Sequence, residues 1–155
     1  MTVEGSPRQR ALAYLRDHNV MTLATVGEKG LWAAAVFYAS DGLDLYFLSA
    51  AGTRHGLNIG AACDVAATVQ DDIREWRDIK GVQLEGRATR LEGAEEAAGL
   101  ECYERKFPFV RAWRSGPLEL IAALKRVSWY RVVPSRLYLI DNSLGFGHRD
   151  RVVPE

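Results

Sequence analysis

The chain has 155 residues, 48% of them hydrophobic, and its 20 basic residues balance 20 acidic ones for a formal net charge of +0. A chain of this length without a long linker reads as one domain, residues 1–155, with enough apolar content for a substantial core. The balanced charge gives no overall electrostatic case for nucleic acid or an anionic membrane. No run is apolar enough to cross a bilayer, and MTVEGSPRQR lacks the apolar centre of a signal peptide, so a soluble cytoplasmic protein is expected.

Ser6-Pro7 starts a helix, with serine as N-cap and proline at the first helical position. Ala11, Leu12 and Leu15 recur at helical spacing, which predicts an amphipathic helix over residues 7–18. From Val20 to Val26 two residue sets alternate, as in a strand, and Gly27 to Gly30 is a turn. Leu31 to Ala39 and Leu43 to Ser49 are the next strands, joined through Ser40-Asp41-Gly42, because Asp-Gly between apolar runs marks a hairpin. Ala50-Ala51-Gly52 is a loop, and Thr53 caps a short helix through Gly60. Val65 to Gln70 is a strand, followed by an exposed loop to Asp78. Ile79 to Leu91 is a long strand, in which Gly81 and Gly86 mark bends or bulges. Residues 93–106 read as a helix, Val110 to Trp113 as a helical turn, and Leu118 to Leu124 as a short helix opened by Pro117. Val127 to Val133 and Arg136 to Ile140 are two strands parted by Pro134, and the tail runs from Asn142 to Arg149. Six or seven strands joined by short turns predict a mainly antiparallel sheet, closed or half-open as a β-barrel, with flanking helices.

Thr53-Arg54-His55 has the chemistry of a phosphate site. Arg54 offers a planar cationic fork, Thr53 a hydroxyl, and the start of a helical turn its free N–H groups, with His55 as a further donor. The plainer reading makes Thr53 a cap and leaves Arg54 in water, and on the tripeptide alone the cap is favoured. Ala33, Ala34 and Ala35 are small for a strand, which leaves room either for a flat ring against the backbone or for close packing against a helix. Trp76 lies in the charged run Arg74-Glu75-Trp76-Arg77. It covers a ligand, meets a partner subunit, or anchors a loop; Trp113 and Trp129 read as core. Cys63 and Cys102 fit no metal spacing and read as reduced, semi-buried thiols. His18, His55 and His148 have no metal-ligand spacing, and there is no nucleophile elbow, Walker loop or Gly-x-Gly-x-x-Gly. If the protein is an enzyme, a cofactor carries its chemistry.

Residues Val20 to Gly93 resemble the pyridoxamine 5′-phosphate oxidase-like, FMN-binding split-barrel superfamily. The resemblance rests on strands Met21–Val26 and Leu31–Ala39, the Asp41-Gly42 hairpin, Tyr46-Phe47, Thr53-Arg54-His55, and Glu85-Gly86-Arg87-Ala88-Thr89-Arg90-Leu91. GVQLEGRATRLEG at 81–93, YERKFPFVR at 103–111 and DNSLGFGHR at 141–149 resemble its YhbP-type branch. The resemblance implies a six-stranded antiparallel split barrel and a homodimer with FMN in clefts at its interface. By position, Thr53, Arg54 and His55 hold the phosphate, and Ala34, Ala35, Val36, Leu48 and Ser49 meet the ring and ribityl chain. The partner subunit contributes from Trp76 to Gln83 and from Phe146. The glutamine that touches flavin in the true oxidases falls on Gly81, with Gln83 on the same strand face as its substitute, and the C-terminal Arg-Leu-His substrate motif is absent. Pyridoxamine phosphate oxidation is therefore not expected. The implied activity is an FMN-dependent oxidoreductase that takes hydride from NAD(P)H for a small-molecule acceptor. The alternative is a non-catalytic flavin or haem binder for storage, sensing or electron transfer; some relatives bind haem or a deazaflavin.

Overall fold

The computed structural model describes residues 3–154. Helix α1 (Pro7–Asp17) starts at a capping box: Ser6 Oγ accepts from the Gln9 N–H at 3.2 Å, and Gln9 Oε1 accepts from the Ser6 N–H at 2.8 Å. It is followed by β1 (Val20–Gly27), β2 (Gly30–Phe37), β3 (Ala39–Asp41), β4 (Asp44–Ala50), α2 (Arg54–Ile59) and β5 (Ala62–Gln70). A 3-10 turn (Trp76–Asp78) leads into β6 (Lys80–Arg90). Then come α3 (Gly93–Lys106), α4 (Pro108–Arg114), α5 (Leu118–Lys125), β7 (Val127–Asp141), a 3-10 turn (Asn142–Leu144) and β8 (Arg149–Val152).

All the strands join one antiparallel sheet in the order β2-β1-β5-β6-β7-β4-β3, with β8 on β7. The two end strands of that path, β2 and β3, are consecutive in the chain and meet at Tyr38. The sheet therefore curls back on itself as a split barrel. Met21, Leu23 and Thr25 point inward from β1, and Met21 and Leu23 join Leu45, Phe47, Val69, Val82, Tyr130 and Leu137 in the core. Ala11 and Leu15 of α1 pack into the same core. A second cluster lies under the inserted helices, where Tyr103, Phe107 and Val110 cover Tyr46 and Trp129.

Among the described residues eight strands appear where six or seven were expected, for local reasons. The expected strand Leu31–Ala39 breaks at Tyr38, whose N–H donates to Asn19 O and whose hydroxyl donates to Leu15 O at 2.8 Å. Its last residues leave β1 and pair with β4 as β3. The tail supplies β8, which its polar composition did not signal. Conversely, the two strands expected around Pro134 are one. Glu85 pairs with Arg136 but Gly86 with Pro134, so Ser135 is the extra residue of a bulge. There the proline's missing N–H leaves no gap in the ladder.

Gly86 permits that close approach: a Cβ there would lie 2.2 Å from Val133 O and 2.8 Å from Pro134 Cα. Gly86→Ala is expected to lower the unfolding free energy by about 3 kcal/mol in urea titrations. Gly52→Ala, with nothing within 4 Å, is the matched control and should cost under about 0.5 kcal/mol. Equal effects would remove the bulge from the account.

Candidate functional site

Thr53 is the N-cap of α2, as the sequence predicts. Its Oγ1 accepts from the Gly56 N–H at 3.1 Å and donates to Ala50 O at 2.9 Å. Ser49 Oγ lies 3.0 Å from Thr53 Oγ1 and 2.7 Å from His55 Nε2, which links the end of β4 to both loop residues. His55 is buried beside Phe47, with its Nε2 turned to Ser49. Burial pushes its pKa below the usual histidine value, so near neutral pH the ring is uncharged. Helix geometry leaves the first N–H groups of α2 without intrahelical partners.

Arg54 lies across the β1–β2 turn. Its guanidinium carbon is 4.5 Å from the centre of the Trp32 ring, and Nη2 donates to Lys29 O at 2.9 Å and Leu31 O at 3.2 Å. Its Nε is buried with no hydrogen-bond partner. Thr53, by contrast, has both hydroxyl functions engaged. A buried, unpaired guanidinium nitrogen beside the free N–H groups of a helix start fits an anion better than it fits a finished surface.

The three alanines split across the sheet. Ala34 pairs with Leu23 and shares its side, with Trp32 and Val36, whereas Ala33 and Ala35 point outward and are exposed. No helix covers those two, which answers the close-packing alternative. Across the ladders Ala33 continues into Ala24, Ala66 and Glu85, and Ala35 into Thr22, Thr68 and Gln83. Beside this flat floor lies a cleft of about 710 Å³ lined by Val26, Leu31, Arg87 and Val133. Leu48 is half-buried and packs against the helical side.

Trp76 and Gln83 belong to a second group. Trp76 meets Phe146 edge-on at 5.6 Å, and the Arg77 guanidinium lies 4.6 Å from its ring centre. Asn142 holds this corner: Nδ2 donates to Trp76 O at 2.9 Å, its N–H donates to Ile79 O at 2.9 Å, and Oδ1 accepts from the Gly147 N–H at 3.1 Å. Gly145 and Gly147, with φ of 141° and 71°, lift Phe146 out to 84% exposure. The sequence reading assigned no role to Trp32 or Asn142. Their partners lie 22 and 66 residues away, and no local pattern signals such pairs. Within one chain the Thr53–His55 loop precedes β5 and the Trp76 turn follows it, across a nine-residue strand about 26 Å long, whereas Gln83 shares a ladder row with Ala35.

A family model for pyridoxamine 5′-phosphate oxidase matches residues 7–139. The chain belongs to the pyridoxamine 5′-phosphate oxidase-like family. Within it the chain is similar to the YhbP-type proteins: it is 33% identical over 138 residues to the UPF0306 protein YhbP of Salmonella paratyphi A, covering 88% of this chain and 86% of that one. Two solved structures share its fold. A Listeria innocua protein provisionally named pyridoxamine 5′-phosphate oxidase superposes with a TM-score of 0.68 at 18% identity, over 86% of this chain and 98% of that one. A haem-binding protein from Mycobacterium smegmatis superposes at 0.69 with 22% identity; the match covers 98% of this chain and 60% of that one. The split barrel expected of this family is thus present, with β3 and β8 as additions to six strands.

The buried neutral state of His55 sets a pH dependence. The unfolded chain takes up its proton near 6.5 and the folded chain only at lower pH. Below 6.5 the unfolded state therefore binds more protons, and stability falls as pH drops towards the lowered folded value. His55→Gln should show a shallower loss between pH 7 and 5 in urea midpoints. An unchanged slope would place the proton elsewhere.

Proposed function

We propose that the protein is an FMN-binding homodimer that acts as a flavin-dependent oxidoreductase on a small molecule. The observation that carries this reading is Arg54, held at the start of α2 with a buried Nε that no protein group satisfies. Arg54 and the N–H groups of α2 hold the phosphate, with Thr53 and Ser49 fixing the loop. His55 works from behind, through Ser49, and keeps the loop in shape without adding charge. Ala34, Ala35 and Val36 leave the β2 backbone open to the ring, with Leu48 and Ser49 at the end of β4 beside the ribityl chain.

The rest of the site comes from a second copy. The Thr53–His55 loop and the Trp76 turn lie at opposite ends of β5, which supports a ligand shared between chains. The outer floor of Ala24, Ala33, Ala35 and Ala66 is bordered by Val26 and Leu31, 57% and 83% exposed, an apolar face suited to burial by a partner. Trp76, Gln83 and Phe146 of the second copy close the ring pocket and exclude water. Bound FMN would accept a hydride from a reduced nicotinamide and return electrons to a small acceptor. No cluster of histidine, cysteine and carboxylate able to hold a metal occurs among the described residues.

A haem-binding role is the second reading, favoured by the fold shared with the haem-binding protein of M. smegmatis. The histidines support it less. Both His18 ring nitrogens are engaged, by Tyr14 O and Asp71; His55 Nε2 is buried against Ser49; and His148 Nε2 is paired with Asp150. An axial ligand would have to break one of these contacts.

Flavin fluorescence titration separates the readings. FMN should bind, and Arg54→Ala should weaken it by about 1.5–3 kcal/mol, the range for a charge-assisted bond. Mixing Arg54→Ala with Trp76→Ala protein should restore tight binding at about a quarter of the sites, because each mixed dimer rebuilds one intact site. A protein that takes up haem and no FMN would overturn the flavin reading. Mixing without rescue would overturn the shared site.

A further inference from the structure

Helix α5 has leucines at 118, 120 and 124 and Ile121 among its eight residues, yet buries none of its residues. A surface helix normally covers its apolar stripe with protein. Here Ile121 and Leu124 face, across an opening, Leu100 of α3 and Val127 and Trp129 of β7. Together they wall a cleft of about 410 Å³. That volume lies in the range of small-molecule sites, about 300–1,000 Å³. The wall is continuous with the second core: Leu100, Leu124 and Val127 pack against it half-buried, and Trp129 is 4% exposed. None of these residues belongs to the Thr53–His55 loop or to the Trp76 corner.

Three charged side chains also line the cleft: Arg114, Lys125 and Glu96. Arg114 is held in place. Its Nη2 donates to Glu104 Oε2 at 2.9 Å, and its Nε makes an ion contact of 2.7 Å with Oε1, on a carboxylate only 6% exposed. Burying a carboxylate costs several kcal/mol unless it is paired, so Glu104 is an expensive way to decorate a surface. As a support it makes sense, because it fixes a guanidinium at the rim of an apolar cleft. Only Nη2 of Arg114 donates a hydrogen bond to Glu104, and its side chain is 50% exposed, so donors remain for a ligand. Lys125 makes no ion pair among the described residues.

We propose that this cleft binds a small apolar monocarboxylate. Its aromatic or branched body lies against Leu100, Leu124 and Trp129, and its carboxylate on Arg114 and Lys125. Glu104 balances Arg114 and Glu96 offsets Lys125, so the mouth is formally neutral and offers cationic donors to one carboxylate without a surplus charge for a second. Glu96 at the same mouth repels a second negative charge and so selects against dianions such as phosphate monoesters. The site is independent of flavin binding.

The test uses the full-length ¹⁵N-labelled protein and indole-3-acetate as probe, followed at the Trp129 indole N–H resonance, which Trp129→Phe identifies. Saturable binding is expected, at least tenfold tighter than that of the neutral amide, indole-3-acetamide. Lys125→Gln should weaken it at least fivefold while leaving FMN affinity unchanged, and Ile121→Trp, which fills the cleft, should abolish it. Arg114→Gln leaves Glu104 buried and unpaired and risks unfolding, so Lys125→Gln carries the charge test. No saturation, equal binding of acid and amide, or indifference to both Lys125→Gln and Ile121→Trp would overturn the proposal.

Discussion

Pairing along β5 holds the Thr53–His55 loop at one end of a stiff nine-residue strand and the Trp76 turn at the other. Each residue adds about 3.3 Å, and β5, paired with β6 along its length and with β1 at Ala66, Ala67 and Thr68, does not fold back. The rest of the site follows from that separation. Arg54 and Trp76 of one chain lie beyond opposite ends of that strand, which is why the proposed ligand is shared between two chains. On the outer face β2, β1 and β5 present alanine and threonine and leave Leu31 and Val26 uncovered, the surface proposed for the second chain.

The Thr53–His55 loop shows how local structure and the proposed function divide one tripeptide. Thr53 and His55 both turn inward, one to cap α2 and one to bond Ser49, and together they brace the loop against β4. Arg54 alone is left for a ligand. It rests on Trp32 and two turn carbonyls, with one nitrogen still unsatisfied. The cap reading and the phosphate reading are therefore not rivals: the cap holds the guanidinium at the helix start.

Much of the fold was legible because it rests on short-range rules. Ser6-Pro7 opened α1, Asp41-Gly42 turned β3 into β4, and the alternation from Val20 marked β1 as a strand. The errors came where distant contacts decide. Tyr38 breaks its strand through Asn19 and Leu15, and Pro134 stays in β7 because Gly86, on the neighbouring strand, lets the bulge form. Of the candidate site, the chemistry-bearing Thr53, Arg54 and Trp76 could be picked out from residue type. The roles of Trp32, Asn142 and the inward turn of His55 could not, since each depends on a partner that only the folded chain brings near.

The most direct test of the shared site is a crystal structure of the protein with FMN. It should show Arg54 of one chain at the phosphate and Trp76 of another chain beside the same flavin. A flavin held by residues of a single chain, or one bound away from Arg54, would contradict the account.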